Sequence, residues 1–221
     1  MNNKVKKIVG VGLFTAIVLV LQFLGGGIRF GMFSISLVLL PIVVGAAVYD
    51  WQAGAWLGFV FGVAVLASGD AAAFMVIDPL GTVLTVLVKG TAAGLCSGLA
   101  YKFVLQLLDK RTKNRMPVIK SQYGIGECCE EGVYKYISRN NRYLAVVIAA
   151  VICPIVNTGV FLIGCKLFFY ETIAQWGTAA GFANAASYMF LGLAGTNFLI
   201  ELATNLFLSP IIVRLISIAK K

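Results

Sequence analysis

Six long apolar stretches constrain this chain more than any other feature of its sequence. They cover about residues 8–24, 33–49, 51–67, 81–107, 143–165 and 188–216. A helix that crosses a bilayer needs roughly 20 mostly apolar residues, and only 12% of the 221 residues are charged. The sequence therefore predicts an all-α membrane protein with six transmembrane helices, formed by residues 1–221 as a single transmembrane domain. It excludes a soluble globular domain and a disordered chain.

The basic residues segregate to one side of this six-helix arrangement. Three precede the first stretch, nine lie between residues 102 and 142, and three close the chain, whereas Arg29 and Lys166 fall on the opposite side. Because cytoplasmic loops are rich in Lys and Arg, we expect both termini in the cytoplasm and a basic cytoplasmic loop at about residues 109–142. The same rule accounts for the net charge of +9 without a nucleic-acid partner. The first stretch is too long for the core of a signal peptide and is expected to be retained.

The composition also limits the chemistry of the chain. It contains no His, and its five Cys lack the spacing of a zinc site. Without His there is no His-based catalytic triad, and no metal centre is predicted. No Lys-Ser or Lys-Thr follows the glycines of the basic loop, as one would in a nucleotide-binding loop. We therefore expect a protein that is not an enzyme and carries no metal or cofactor.

Polar residues within the apolar stretches are the main candidates for a binding site, because such residues are costly in a membrane. Asn197, Glu201 and Asn205 recur every four residues in the sixth stretch and therefore share one helix face. Lys89 lies in the fourth stretch, where it is expected to pair with Glu201 or to face an anionic ligand. Asn157 follows Pro154, whose ring removes a helix hydrogen bond to the carbonyl of residue 150.

The three outward loops supply further candidates. Loop 25–32 contains Arg29, which is expected to reach either lipid headgroups or an anionic ligand. Loop 68–80 contains Asp70 and Asp78. Loop 166–187 is expected either to fold over the outer face as a lid or to lie at the interface as an ordinary segment.

Small residues mark the expected helix contacts. Glycines recur every four residues at 54, 58 and 62 and again at 90, 94 and 98, and Gly12 precedes Ala16 by four residues. Such stripes allow another backbone to approach closely, either within the monomer or from another subunit. We expect the face with Gly12 and Ala16 to contact a partner. Pro41 predicts a kink in the second helix.

Several segments together resemble a known family. They are Gly-Leu-Phe-Thr-Ala at 12–16, Leu-Leu-Pro-Ile-Val-Val-Gly-Ala at 39–46, Gly-Ala-Trp-Leu-Gly-Phe-Val-Phe-Gly at 54–62 and Pro-Ile-Val-Asn-Thr-Gly at 154–159. In their order and spacing, they resemble the substrate-binding S components of energy-coupling factor (ECF) vitamin transporters. The resemblance covers nearly the whole chain.

The resemblance implies a function and partners. An S component binds a vitamin or related micronutrient in an outward-facing pocket built from the outer loops and the sixth helix. It joins one transmembrane scaffold subunit and two cytosolic ATPases, which supply the energy of uptake in a prokaryotic plasma membrane. Small residues on the first helix contact the scaffold, and Gly12 and Ala16 match that position.

Pantothenate is the favoured substrate, with riboflavin and folate as alternatives. The carboxylate of pantothenate suits Lys89 or Arg29, and its amide and hydroxyls suit Asn157, Asn197 and Asn205. Few aromatic residues are assignable to a pocket, which weighs against a ligand with a large flat ring. Two other functions remain open at this point. A stand-alone secondary transporter would need coupling-ion residues and usually repeated halves. A membrane scaffold protein would not need Lys89 and Glu201 at membrane depth.

Overall fold

The computed structural model describes residues 3–25, 29–30, 33–34, 37–123 and 127–219, and nearly all of them are helical. The only strands among them form a two-residue antiparallel hairpin, β1 (Arg29–Phe30) and β2 (Phe33–Ser34). The helices are α1 (Asn3–Gly25), α2 (Leu39–Tyr49), α3 (Trp51–Ser68), α4 (Ala72–Met75), α5 (Pro79–Tyr123), α6 (Glu127–Phe168), α7 (Tyr170–Ala179), α8 (Ala185–Ser187), a π-helix (Tyr188–Gly195) and α9 (Thr196–Ala219).

Five of these helical segments are long and apolar enough to cross a membrane, and the prediction of an all-α membrane protein is confirmed. They comprise α1, α3, α5, α6 and the π-helix together with α9. The second predicted span is shorter than expected, because α2 has 11 residues. The count of six spans and the cytoplasmic position of the termini stay predictions.

The two glycine stripes pack against each other where α3 crosses α5. A methyl group on Gly58 would overlap the carbonyl of Gly90, and a methyl group on Gly54 would overlap that of Gly94. Gly62 lies beside the backbone of Val86, with 3.0 Å between its notional Cβ and the carbonyl oxygen. Without side chains between them the two backbones come into direct contact. Both stripes therefore serve packing within the monomer, which the sequence left undecided.

Pro41 lies at the start of α2 and not in the middle of a helix, where the expected kink would form. Helix α2 begins at Leu39, so Pro41 lies in its first turn. Backbone N–H groups of the first turn have no partner within the helix, and a proline there costs no hydrogen bond. Proline in the first turn starts the helix instead of bending its middle.

The basic segment 109–142 is helical where the structure describes it, and its cytoplasmic position stays a prediction. Helix α5 continues to Tyr123 and α6 begins at Glu127. The side-chain amide of Asn141 donates to Asp109 Oδ1 at 3.0 Å and to Thr112 Oγ1 at 2.9 Å. These bonds tie the two helices together at the base of the segment. The 15 residues from Asp109 to the end of α5 extend it by roughly 22 Å.

The short elements lie at the opposite end of the bundle. Helix α4 lies within the predicted outer loop 68–80, and α7 and α8 lie within the loop 166–187. Phe74 of α4 packs edge-on against Phe161 of α6, against Phe169 between α6 and α7, and against Trp176 of α7, with ring centroids 5.0 to 5.8 Å apart. This second apolar cluster closes the end of the bundle above the main core.

Candidate functional site

A cavity lies between the helices at the end that carries α4 and α7. Its lining residues come from α1, α3, α4, α5, α6 and α9, and its volume is about 70 Å³. This volume holds about five water molecules, at roughly 10–15 Å³ each on the same measure. The cavity is at the opposite end from the basic helical segment, because its lining residues on these helices lie within the first 11 residues of α5 and the last 12 of α6.

The polar stripe of α9 forms one wall of this cavity. The Asn197 side-chain amide donates to Glu201 Oε1 at 3.1 Å. The second carboxyl oxygen of Glu201, Oε2, is buried and has no hydrogen-bond partner. Glu201 is only 2% exposed. A buried carboxyl oxygen without a partner costs stability unless something else pairs with it.

Two further orphaned atoms line the same cavity. Asn157 Oδ1 on α6 and Thr85 Oγ1 on α5 are buried and have no hydrogen-bond partner. Both side chains are more than nine-tenths buried. Three unpartnered polar atoms from three different helices therefore converge on one small space. The part of the chain that the structure describes supplies no hydrogen-bond partner to these three atoms, and a polar molecule in the cavity would supply one.

Lys89 reaches the cavity from α5 but does not form an ion pair with Glu201. Its Nζ lies 5.1 Å from the centroid of the Phe161 ring, within the range of a cation–π contact. By contrast, Lys102 and Asp50 do form an ion pair, at 3.5 Å. Lys89 and Glu201 both line the cavity and attract each other across it. The two alternatives for Lys89, attraction to Glu201 or contact with a ligand, therefore concern the same cavity.

Gln22 of α1 is a site residue that the sequence analysis missed. Its amide donates to Asp70 Oδ2 at 2.6 Å and to the Ser68 hydroxyl at 3.2 Å, and Gln22 and Asp70 both line the cavity. Gln22 is 3% exposed. A single glutamine in an otherwise apolar helix was the available signal, by the same reasoning that identified Glu201.

Aromatic residues line the cavity, contrary to the expectation from sequence. Phe61, Phe74, Phe161 and Phe169 all contribute to its wall. They come from four different parts of the chain, so no local pattern in the sequence brings them together. The argument against a flat, ring-containing ligand does not hold for this cavity. Thr82 and Thr85, which also line it, were missed because threonine is common on apolar helices.

The structure brings five of the eight predicted substrate-binding residues together and places two others, Asp78 and Asn205, outside the cavity lining. Asp70, Lys89, Asn157, Asn197 and Glu201 line the cavity. Asp78 caps the start of α5 instead, where its Oδ1 accepts from the Gly81 N–H at 3.1 Å. Asn205 lies one turn beyond Glu201, outside the cavity lining. The side chain of Arg29 lies outside the described residues.

The predicted partner face of α1 is open. A Cβ on Gly12 would meet nothing within 4 Å, and Ala16 is exposed. Large apolar side chains surround them, including Leu13 and Ile17. Neither small residue packs within the monomer, in contrast to the glycine stripes of α3 and α5.

Comparisons with known proteins agree with this architecture. A family model described as "ECF transporter, substrate-specific component" matches residues 6–213. No curated protein and no solved structure gives a significant match.

Proposed function

Because the chain belongs to the substrate-specific components of ECF transporters, we propose that it captures a vitamin or related micronutrient in the cavity described above. Members of this family bind substrate for transport and are not enzymes. Partner subunits then supply ATP-driven uptake. The chain works as the membrane-embedded binding subunit of an importer of the ABC type.

One observation carries the proposal: three orphaned polar atoms meet at a single cavity. Glu201 Oε2, Asn157 Oδ1 and Thr85 Oγ1 are each buried without a partner. Membrane proteins satisfy buried polar groups internally unless a ligand or water does so. One polar small molecule would supply hydrogen-bond partners for all three atoms.

The position of the cavity supports capture from outside the cell. The cavity lies at the end of the bundle opposite the basic segment 109–142, which the positive-inside rule assigns to the cytoplasm. Phe74 of α4 lines the cavity and packs on Trp176 of α7 at 5.7 Å. Helices α4 and α7 therefore stand between the cavity and the outer surface and must move for a ligand to enter. The loop 166–187 acts as part of this lid.

The identity of the vitamin is the finer part of the proposal. Lys89 and the amides of Asn157 and Asn197 suit the carboxylate and hydroxyls of pantothenate. The four phenylalanines of the wall suit the rings of riboflavin and folate equally well. Asn205 no longer supports any of the three, because it lies outside the cavity lining. The contact expected for Arg29 stays a prediction, since its side chain lies outside the described residues.

The partners follow from the family and from α1. The open face with Gly12 and Ala16 is the contact for the transmembrane scaffold subunit, which joins two cytosolic ATPases. The assembly resides in the plasma membrane of a prokaryote. The large apolar side chains beside Gly12 face lipid when the scaffold is absent.

Native mass spectrometry of the full chain, purified in detergent from cells grown in rich medium, tests this function. We expect a bound small molecule of vitamin size in the wild-type chain and in Thr204→Ala, whose hydroxyl bonds only to its own helix at Ile200. We expect its loss in the double variant Asn157→Leu with Glu201→Leu. A chain that is empty in every preparation, and that no vitamin stabilises against heat, would refute the proposed function.

A further inference from the structure

The atoms without partners in the cavity also indicate which kind of ligand would fit it, because the chemistry of each atom determines whether it donates or accepts hydrogen bonds. Glu201 Oε2 is a carboxyl oxygen and Asn157 Oδ1 is a carbonyl oxygen. Both accept hydrogen bonds, and an ionised carboxylate can only accept. The Thr85 hydroxyl does either. The wall formed by these three residues therefore calls for hydrogen-bond donors on the ligand.

The charged side chains around the cavity indicate what charge the ligand carries. The titratable side chains among the described residues of its lining are Asp70, Lys89 and Glu201. Lys89 and Glu201 are one ammonium and one carboxyl group that attract each other across the cavity. The Glu201 carboxyl group also accepts a hydrogen bond from the Asn197 amide. Since Glu201 already offsets the charge of Lys89, an anionic ligand would bring a negative charge that no further ammonium or guanidinium group among the described lining residues balances, which is costly in a space of low dielectric.

The apolar part of the wall defines the shape of the ligand. Phe74 and Phe161 stand at 89° to each other with centroids 5.8 Å apart, and Phe74 and Phe169 stand at 66° with centroids 5.0 Å apart. Phe61 lines the cavity as well. Aromatic rings contact another ring by stacking or edge-on. Flexible aliphatic chains gain nothing specific from such an arrangement.

From these three features we propose that the ligand is a flat nitrogen heterocycle without net negative charge. Its edge with N–H or amino donors faces Glu201, Asn157 and Thr85, and its ring lies against Phe74 and Phe161. The Lys89 ammonium group donates a hydrogen bond to a carbonyl oxygen or ring nitrogen of the same molecule. This inference rests on the proposed function and narrows it to one chemical class. It disfavours pantothenate, which is acyclic and anionic.

Calorimetric titration of the full chain in detergent, stripped of retained ligand by washing, tests the class directly. The probes are riboflavin and thiamine, which carry rings with N–H or amino donors and are neutral and cationic, and pantothenate and nicotinate, which are anions. We expect one of the first pair to bind at least tenfold more tightly than either anion. Tighter binding of an anion would overturn the inference and leave the proposed function standing.

Glu201→Gln separates the two ligand classes by the sign of its effect. For a donor-bearing ligand, the variant replaces a charged acceptor and is expected to weaken binding by about tenfold or more. For an anionic ligand near Lys89, the variant removes a repelling charge and would strengthen binding. Strengthened binding in Glu201→Gln therefore contradicts the inference.

Thr85→Val provides a second variant that does not depend on charge. It removes one orphaned hydroxyl with little change of shape, so we expect the chain to fold and the affinity for the ring compound to fall several-fold. Thr204→Ala on α9 is the control and should bind as the wild type does. An unchanged affinity in both Thr85→Val and Glu201→Gln would contradict the inference. Failure of every probe with a chain that is also empty by native mass spectrometry would instead refute the proposed function.

Discussion

The side-chain amide of Asn205 donates a hydrogen bond of 3.3 Å to the carbonyl oxygen of Ala150, the carbonyl that Pro154 cannot bond within α6. Proline lacks the N–H that would pair with the carbonyl four residues earlier. Asn205 on α9 replaces it across the helix interface and is 2% exposed. The polar stripe of α9 thus divides into a cavity part, Asn197 and Glu201, and a structural part, Asn205.

The first prediction follows from this division. Asn205→Ala is expected to lower the midpoint of thermal unfolding in detergent, since it leaves a buried carbonyl unpaired at a cost of about 1–3 kcal/mol. Ligand affinity should change less than twofold, because Asn205 does not line the cavity. Differential scanning fluorimetry and calorimetric titration measure the two effects separately.

Pro154→Ala supplies the matched control. It returns a backbone N–H to α6, which can then bond the Ala150 carbonyl within the helix. The stability loss caused by Asn205→Ala should therefore shrink when Pro154→Ala is also present. An additive effect of the two substitutions would show that Asn205 does not act through this carbonyl.

The second prediction concerns the crossing of α3 and α5. Gly58→Ala and Gly90→Ala each introduce a methyl group against the facing backbone, so we expect each to destabilise the chain by about 1–3 kcal/mol. Gly159→Ala on α6 is the control, because a Cβ there meets nothing within 4 Å. The unfolding midpoints of the three variants are compared. Equal midpoints for Gly58→Ala and Gly159→Ala would be incompatible with the observed packing.

The helices and about half of the cavity-lining polar residues could be predicted, because each of these features is visible in a short stretch of sequence. The apolar stretches predict the spans, and Glu201, Asn197, Asn157 and Lys89 stand out as polar residues in apolar helices. Asp70 could be predicted because it is a charged residue of the outward loop 68–80. The sequence also predicted that Pro154 would free the carbonyl of residue 150, but not which residue would pair with it.

The rest depends on which helices become neighbours, and no local pattern contains that information. The aromatic wall joins Phe61, Phe74, Phe161 and Phe169 from separate elements. The pairing of the two glycine stripes needed the crossing of α3 and α5. The helical content of the loop between spans at 109–142 depends on a contact between its two ends, the hydrogen bond from Asn141 to Asp109, which no local pattern reveals.

The third prediction tests the open face of α1. Gly12→Leu and Ala16→Leu add bulk where nothing in the monomer lies nearby, so folding and ligand binding should match the wild type. Uptake by the assembled transporter in cells or proteoliposomes should fall at least tenfold, because a close helix contact with the scaffold is blocked. Leu13→Ala, which does not fill the stripe, serves as the control. Lost ligand binding in Gly12→Leu would assign this face to the monomer.

The fourth prediction concerns the contact of α1 with the outer end of the cavity. Gln22 holds Ser68 and Asp70, which precede α4 and its cavity-lining Phe74. Gln22→Leu keeps the size of the side chain but removes both hydrogen bonds, so α4 should close less firmly over a bound ligand. We expect the dissociation rate of the ligand to rise several-fold or more, with a smaller change in the association rate. Stopped-flow measurement on the purified chain separates the two rates. Gln106→Leu, an exposed position at the other end of the bundle, is the matched control. Dissociation as slow in Gln22→Leu as in Gln106→Leu would mean that the Gln22 contacts do not hold α4 over the cavity.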